Sequence, residues 1–112
     1  MKAEREFLRT EDVPWRATST PGVEEKVLSR DEDDPDVLTR LARWAPGLDT
    51  SAAGVIRHAW AEEVLIVEGA LRDLTLGRTF GEGHFACRPP GMAHGPYRTD
   101  EGCVMLEIRH RL

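Results

Sequence analysis

From Pro14 onward the chain alternates short runs of bulky and β-branched residues with clusters of turn formers. The runs are Val23 to Leu28, Val37 to Trp44, Val55 to Trp60, Val64 to Val67, Phe80 to Arg88 and Cys103 to His110. Between them stand Pro21-Gly22, Asp33 to Pro35, Pro46-Gly47, Gly54, Gly69, Gly77, Gly81 to Gly83, Pro89 to Gly91, Gly95-Pro96 and Gly102. Many short strands punctuated about every ten residues predict an all-β sandwich or barrel. No long stretch carries a strong helical period, so fewer than about fifteen helical residues are expected. Residues 1–13 are polar and weakly patterned and read as an N-terminal arm; residues 14–112 read as the single domain.

Composition sharpens this picture by exclusion. A chain of 112 residues can bury one core. With 40% hydrophobic and 31% charged residues it has the balance of a globular domain. No apolar run approaches the roughly 20 residues that span a bilayer. The start, MKAEREFLRT, has no apolar stretch after its charges, so no signal peptide is expected and the cytoplasm is the default location. The net charge of −5 and pI of about 5.3 offer no basic face for nucleic acid. The acidic run Asp31 to Asp34 and Asp36 reads as a solvated loop, since it lacks the glycine and terminal glutamate of a calcium loop. Cys87 and Cys103 form no CxxC pair and read as small buried packing residues.

Candidate chemistry concentrates in two segments. In the first, His58 and Glu62 stand four apart, so on an extended strand both face one side, as Ile56 and Trp60 also do. Glu63 would serve as the carboxylate only across a bulge. In the second, Pro89-Pro90-Gly91 forces a turn, and His94 follows it closely enough to complete a site built on another strand. Trp60, Ile56, Tyr97 and Met92 are candidates to border a cavity there, and Arg40 and Arg57 to bind an anionic or carbonyl substrate. Trp15, Trp44 and Phe85 read as core or cavity wall, and His84 as a strand residue.

These segments resemble the two motifs of the cupin superfamily. Gly83, Pro89, Gly91 and His94 match the second motif without a gap, and Arg98 stands where its closing Asn is usual. In the first motif, Glu62 and Gly69 fit and His58 falls on the second histidine, while the first histidine position is Ile56. Further stretches resemble the ChrR-like branch, which includes small dioxygenases acting on diketones and aryl ketones. They are Trp15, Pro21-Gly22-Val23, Lys26-Val27-Leu28, Ala45-Pro46-Gly47, Glu62 to Gly69, Arg88 to Gly91 and Gly102-Cys103.

The resemblance implies a small cupin β-barrel of the jelly-roll type, often a homodimer, with the segment Pro14 to Leu28 available to pair with a partner's sheet. It implies a divalent metal held by His58, Glu62 and His94. That set is similar to the facial triad of non-haem Fe(II) oxygenases, so iron is favoured, while zinc, manganese and nickel suit the same ligands. The missing histidine also admits a site that has lost its metal. The functional expectation is a dioxygenase acting on a small diketone or aryl ketone or enol. The alternatives are a metal-dependent isomerase, cyclase or lyase on a carbonyl substrate, or a ligand-sensing module without turnover.

Overall fold

The computed structural model describes residues 1–111. Among these residues nine strands form two antiparallel sheets. They are β1 (Arg16–Ala17), β2 (Val23–Arg30), β3 (Leu38–Trp44), β4 (Ala61–Gly69), β5 (Leu71–Asp73), β6 (Arg78–Phe80), β7 (Phe85–Arg88), β8 (Tyr97–Arg98) and β9 (Cys103–His110). The larger sheet has the order β1-β2-β3-β9-β4-β7, and the smaller has β6-β5-β8. Helical geometry among the described residues is confined to the single 3₁₀ turns Thr10–Asp12 and Ser51–Ala53. The all-β expectation holds, and no helix among these residues is long and apolar enough to cross a membrane.

Two expected strands take another form. Phe80 to Arg88 is broken at Gly81 to Gly83, so it divides between β6 and β7 and leaves His84 in the turn. Val55 to Trp60 is a loop whose one ladder contact is an isolated bridge between Ile56 and His94. The chain bends after Ile56, and the even-spacing argument for His58 and Glu62 therefore lapses. Gly69 closes β4 at φ +78°, and a Cβ there would lie 2.1 Å from the Gly102 carbonyl oxygen. Only glycine permits the β4 and β9 backbones to approach this closely.

The core lies between the sheets, where Val64, Ile66, Leu71, Tyr97, Cys103 and Met105 pack together. The larger sheet places a second, charged layer beside this apolar one. Glu25, Arg40, Glu107, Arg109, Glu62 and Arg88 form a ladder of alternating sign across β2, β3, β9, β4 and β7. Three of its steps are register partners: Arg40 opposite Glu107, Arg109 opposite Glu62, and Glu62 opposite Arg88. The other face of the same strands carries the apolar cross-strand row Leu41, Leu106 and Leu65, each half-buried. Cys103 is buried as expected, but Cys87 is exposed, because its position in β7 turns it away from the core.

The arm folds back on the domain. The amino terminus pairs with Asp31, Arg5 donates to the Leu28 carbonyl, and Lys26 donates to the Thr10 carbonyl. The acidic loop is ordered by its own side chains: Asp31 accepts from the backbone N–H groups of Asp33 and Asp34, and Arg111 pairs with Asp34 and Asp36.

Candidate metal centre

Two loops carry the histidines and one strand carries the carboxylate. Loop 54–60 presents His58, loop 89–96 presents His94, and β4 presents Glu62. Main-chain hydrogen bonds stitch the loops together. Ile56 N–H donates to the His94 carbonyl at 2.8 Å, and His94 N–H returns a bond to the Ile56 carbonyl at 3.0 Å. Gly91 N–H donates to the His58 carbonyl at 2.8 Å, and Arg57 reaches the Gly91 carbonyl at 3.0 Å. Ile56 thus has no ligating side chain to offer, yet its backbone docks the loop that delivers His94.

One ligand atom from each of His58, Glu62 and His94 lies within 4.8 Å of the others. This is wider than the roughly 4 Å expected for three donors around one small ion. His94 Nδ1 is 2.9 Å from Tyr97 Oη, which also accepts from Arg88 at 2.7 Å. His94 Nε2 is buried and has no partner. His58 stacks on Trp60, with ring centroids 4.5 Å apart and planes 13° from parallel. Desolvation pushes His94 down to about 4, helped by the Arg88 charge, and desolvation likewise lowers His58. Both imidazoles are therefore neutral at pH 7 and hold a lone pair. Glu62 is buried, with Arg88 at 2.9 Å from one carboxylate oxygen and Arg109 at 3.3 Å from the other.

These residues fit a divalent ion. In the tautomer whose Nδ1–H donates to Tyr97 Oη, the buried Nε2 of His94 holds a lone pair free for an ion, and the Tyr97 contact is the kind of outer support that fixes a ligating histidine. The Glu62 oxygens retain lone pairs beyond those facing the two guanidinium groups. Two nitrogens and one oxygen suit iron, manganese, nickel and zinc alike.

His94 opens onto a cavity of about 390 Å³ whose wall is mainly apolar, including Val64, Ile66, Phe80 and Met105. Of the residues expected to border it, Tyr97 and Met92 do, and so does Phe85, itself 62% exposed. The other expected substrate contacts lie elsewhere. Arg40 is locked between Glu25 at 2.6 Å and Glu107 at 3.0 Å. Arg57 is exposed and spent on the Gly91 carbonyl. Ile56 lies in the bridge to His94, and Trp60 against His58, so neither lines the cavity. Arg98 turns to Asp100 at 3.0 Å.

Sequence reasoning missed Arg88 and Arg109, which flank Glu62. Alternation along β9 gave no signal for Arg109: Val104, Leu106 and Ile108 make the other parity the more apolar one, yet Cys103, Met105 and Glu107 on the parity of Arg109 are the buried residues. Arg88 precedes the Pro89-Pro90-Gly91 turn and lines the cavity beside His94 and Tyr97.

Solved structures with this fold include the polyketide cyclase RemF from Streptomyces resistomycificus. It is 23% identical, with a TM-score of 0.71 over 95% of this chain and 79% of that one. The anti-sigma factor ChrR, solved with SigE of Rhodobacter sphaeroides, is 26% identical, with a TM-score of 0.65 over 91% of this chain and 52% of that one. An acetylacetone dioxygenase from Acinetobacter johnsonii is 13% identical, with a TM-score of 0.72 over 94% and 73%. A comparison with curated proteins finds no match. The family model of the ChrR cupin-like domain matches residues 3–112, and the chain belongs to that family.

Proposed function

We propose that the protein is a metal-dependent enzyme acting on a small carbonyl or enol compound, with dioxygenative cleavage of a diketone or aryl ketone as the favoured reaction. The observation that carries this reading is the buried, unpartnered Nε2 of His94, a residue that lines an apolar cavity, together with the approach of one ligand atom each from His58, Glu62 and His94 to within 4.8 Å of one another. His58, Glu62 and His94 would hold the ion, with Fe(II) favoured over zinc, manganese or nickel. A bound divalent ion supplies Lewis acidity and a template for the substrate oxygens, and iron adds reactivity toward O₂.

The chain's own residues do the rest. The apolar wall receives the substrate body and excludes water from it. Tyr97 holds the His94 ring through Nδ1 and keeps its own proton, because desolvation pushes the phenol up to about 12. Arg88 lines the cavity and would stabilise the negative oxygen of a substrate that enolises there.

A second reading, isomerisation or cyclisation without O₂, is favoured by that same placement of Arg88, which aids an enolate whatever follows. The test is metal analysis of protein purified without chelators or an affinity tag, followed by oxygen uptake with acetylacetone and an aryl diketone. Bound iron with oxygen uptake that is lost in Glu62→Ala and His94→Ala, but kept in His110→Ala, supports the dioxygenase. Substrate turnover without uptake moves the assignment to the second reading. Turnover by metal-stripped protein, unaffected by Glu62→Ala, overturns the metal centre.

A further inference from the structure

Three carboxylates, Glu25, Glu107 and Glu62, face three guanidinium groups, Arg40, Arg109 and Arg88, along the ladder. Each of these six side chains is less than one-fifth exposed. The ladder is therefore balanced, with no surplus negative charge to meet a divalent ion. Both oxygens of Glu62 are already answered by cations. An ion entering here adds two positive charges to a half-buried, neutral site. Such a charge is costly to leave uncompensated away from water.

The natural counter-charge is a ligand in the cavity, and one residue is placed to serve both. Arg88 donates to Glu62 and to Tyr97 Oη, and it lines the cavity. An ion taking the Glu62 oxygen that Arg88 holds at 2.9 Å would weaken that ion pair and leave part of the guanidinium for a new acceptor.

We infer that metal and an anionic ligand bind this site cooperatively, with Arg88 passing from Glu62 to the ligand anion as the metal arrives. The ligand class is a compact organic anion with an apolar body and one anionic oxygen group. This rests on the proposed metal centre and narrows its substrate to the ionised form. Coupling is reciprocal, so the metal-free protein binds the anion weakly, its Arg88 being occupied.

The experiment is calorimetric titration of the purified chain with Zn²⁺, alone and with benzoate or its neutral isostere benzamide. Benzoate is expected to tighten Zn²⁺ binding about tenfold, within the usual range of coupling between sites. Benzamide leaves it unchanged, and benzoate without Zn²⁺ binds at least about tenfold more weakly. In Arg88→Gln, Zn²⁺ alone is expected to bind as tightly or more tightly, since a competitor for Glu62 is gone, and the benzoate effect disappears. Should Arg88→Gln fail to fold by circular dichroism, Arg88→Lys replaces it and is expected to show a weaker benzoate effect than the natural chain. Zn²⁺ binding that ignores benzoate, or responds equally to benzamide, overturns the coupling while leaving the metal centre standing. A benzoate effect undiminished in the Arg88 variant overturns the role of Arg88. No Zn²⁺ binding at all overturns the metal centre and the coupling with it.

Discussion

His94 has one ring nitrogen held by Tyr97 and the other buried with nothing to bond. A hydroxyl that contributes only through a ligand's far side orients that ligand without touching the ion. Tyr97→Phe is therefore expected to lower metal affinity by about ten- to a hundred-fold, the scale of outer-support losses, measured by competition with a chelator dye. The phenyl ring stays, so the core position is filled and a thermal melt should change far less than metal binding. The two cysteines show how one side chain's chemistry follows its surroundings. Cys87 is exposed, whereas burial pushes the Cys103 thiol up to about 11. The thiolate is the reactive form, so a disulfide reagent at pH 8 should modify Cys87 rapidly and Cys103 only on unfolding. Two equally fast thiols per native chain would contradict this placement.

At the level of elements, the turns were the most legible part of the sequence, because glycine and proline fix backbone geometry locally. Gly91 and Gly22 both sit at positive φ, +81° and +86°. A Cβ at Gly91 meets nothing within 4 Å, whereas one at Gly22 meets Leu48 Cδ1 at 3.0 Å. Valine at either position is expected to cost about 1–3 kcal/mol for backbone strain, with Gly22→Val at least as costly as Gly91→Val. Metal affinity should follow the opposite order, since Gly91 bonds the His58 loop and aims the His94 loop. Denaturant melts and metal titrations on both variants check this. The strand runs were legible too: Cys103 to His110 is β9 to the residue. What alternation did not reveal is which face is inside. Glu107, Arg109, Arg40 and Glu62 have the polarity of surface residues, yet they point inward because each meets an opposite charge on the neighbouring strand. The convergence of His58 with Glu62 was legible only through family motifs, because the spacing argument assumed a strand where the chain forms a loop. Arg88 escaped notice because a cation next to a carboxylate ligand is visible only once β4 and β7 are paired.

For the molecule as a whole, the inverted faces have a consequence for assembly. Leu41, Leu106 and Leu65 lie side by side on the face opposite the charged ladder, with Val67 further along β4 at 43% exposed. Phe7 on the arm is fully exposed. We propose a homodimer that covers this row, since a sheet with an apolar outer face gains by burying it. Light scattering should show a dimer at micromolar concentration, and Leu106→Glu should shift it to monomer. A natural chain that stays monomeric at high micromolar concentration would remove the proposal.

Trp60, finally, gives the site an optical signature. Its indole lies flat against the His58 imidazole and 5.1 Å from the Arg109 guanidinium. Excited indole loses energy readily to an adjacent imidazole once that ring carries positive charge or binds a metal. In a Trp15→Phe, Trp44→Phe background, the remaining emission would therefore dim as His58 takes up its ion, so the protein reports its own loading without any added dye.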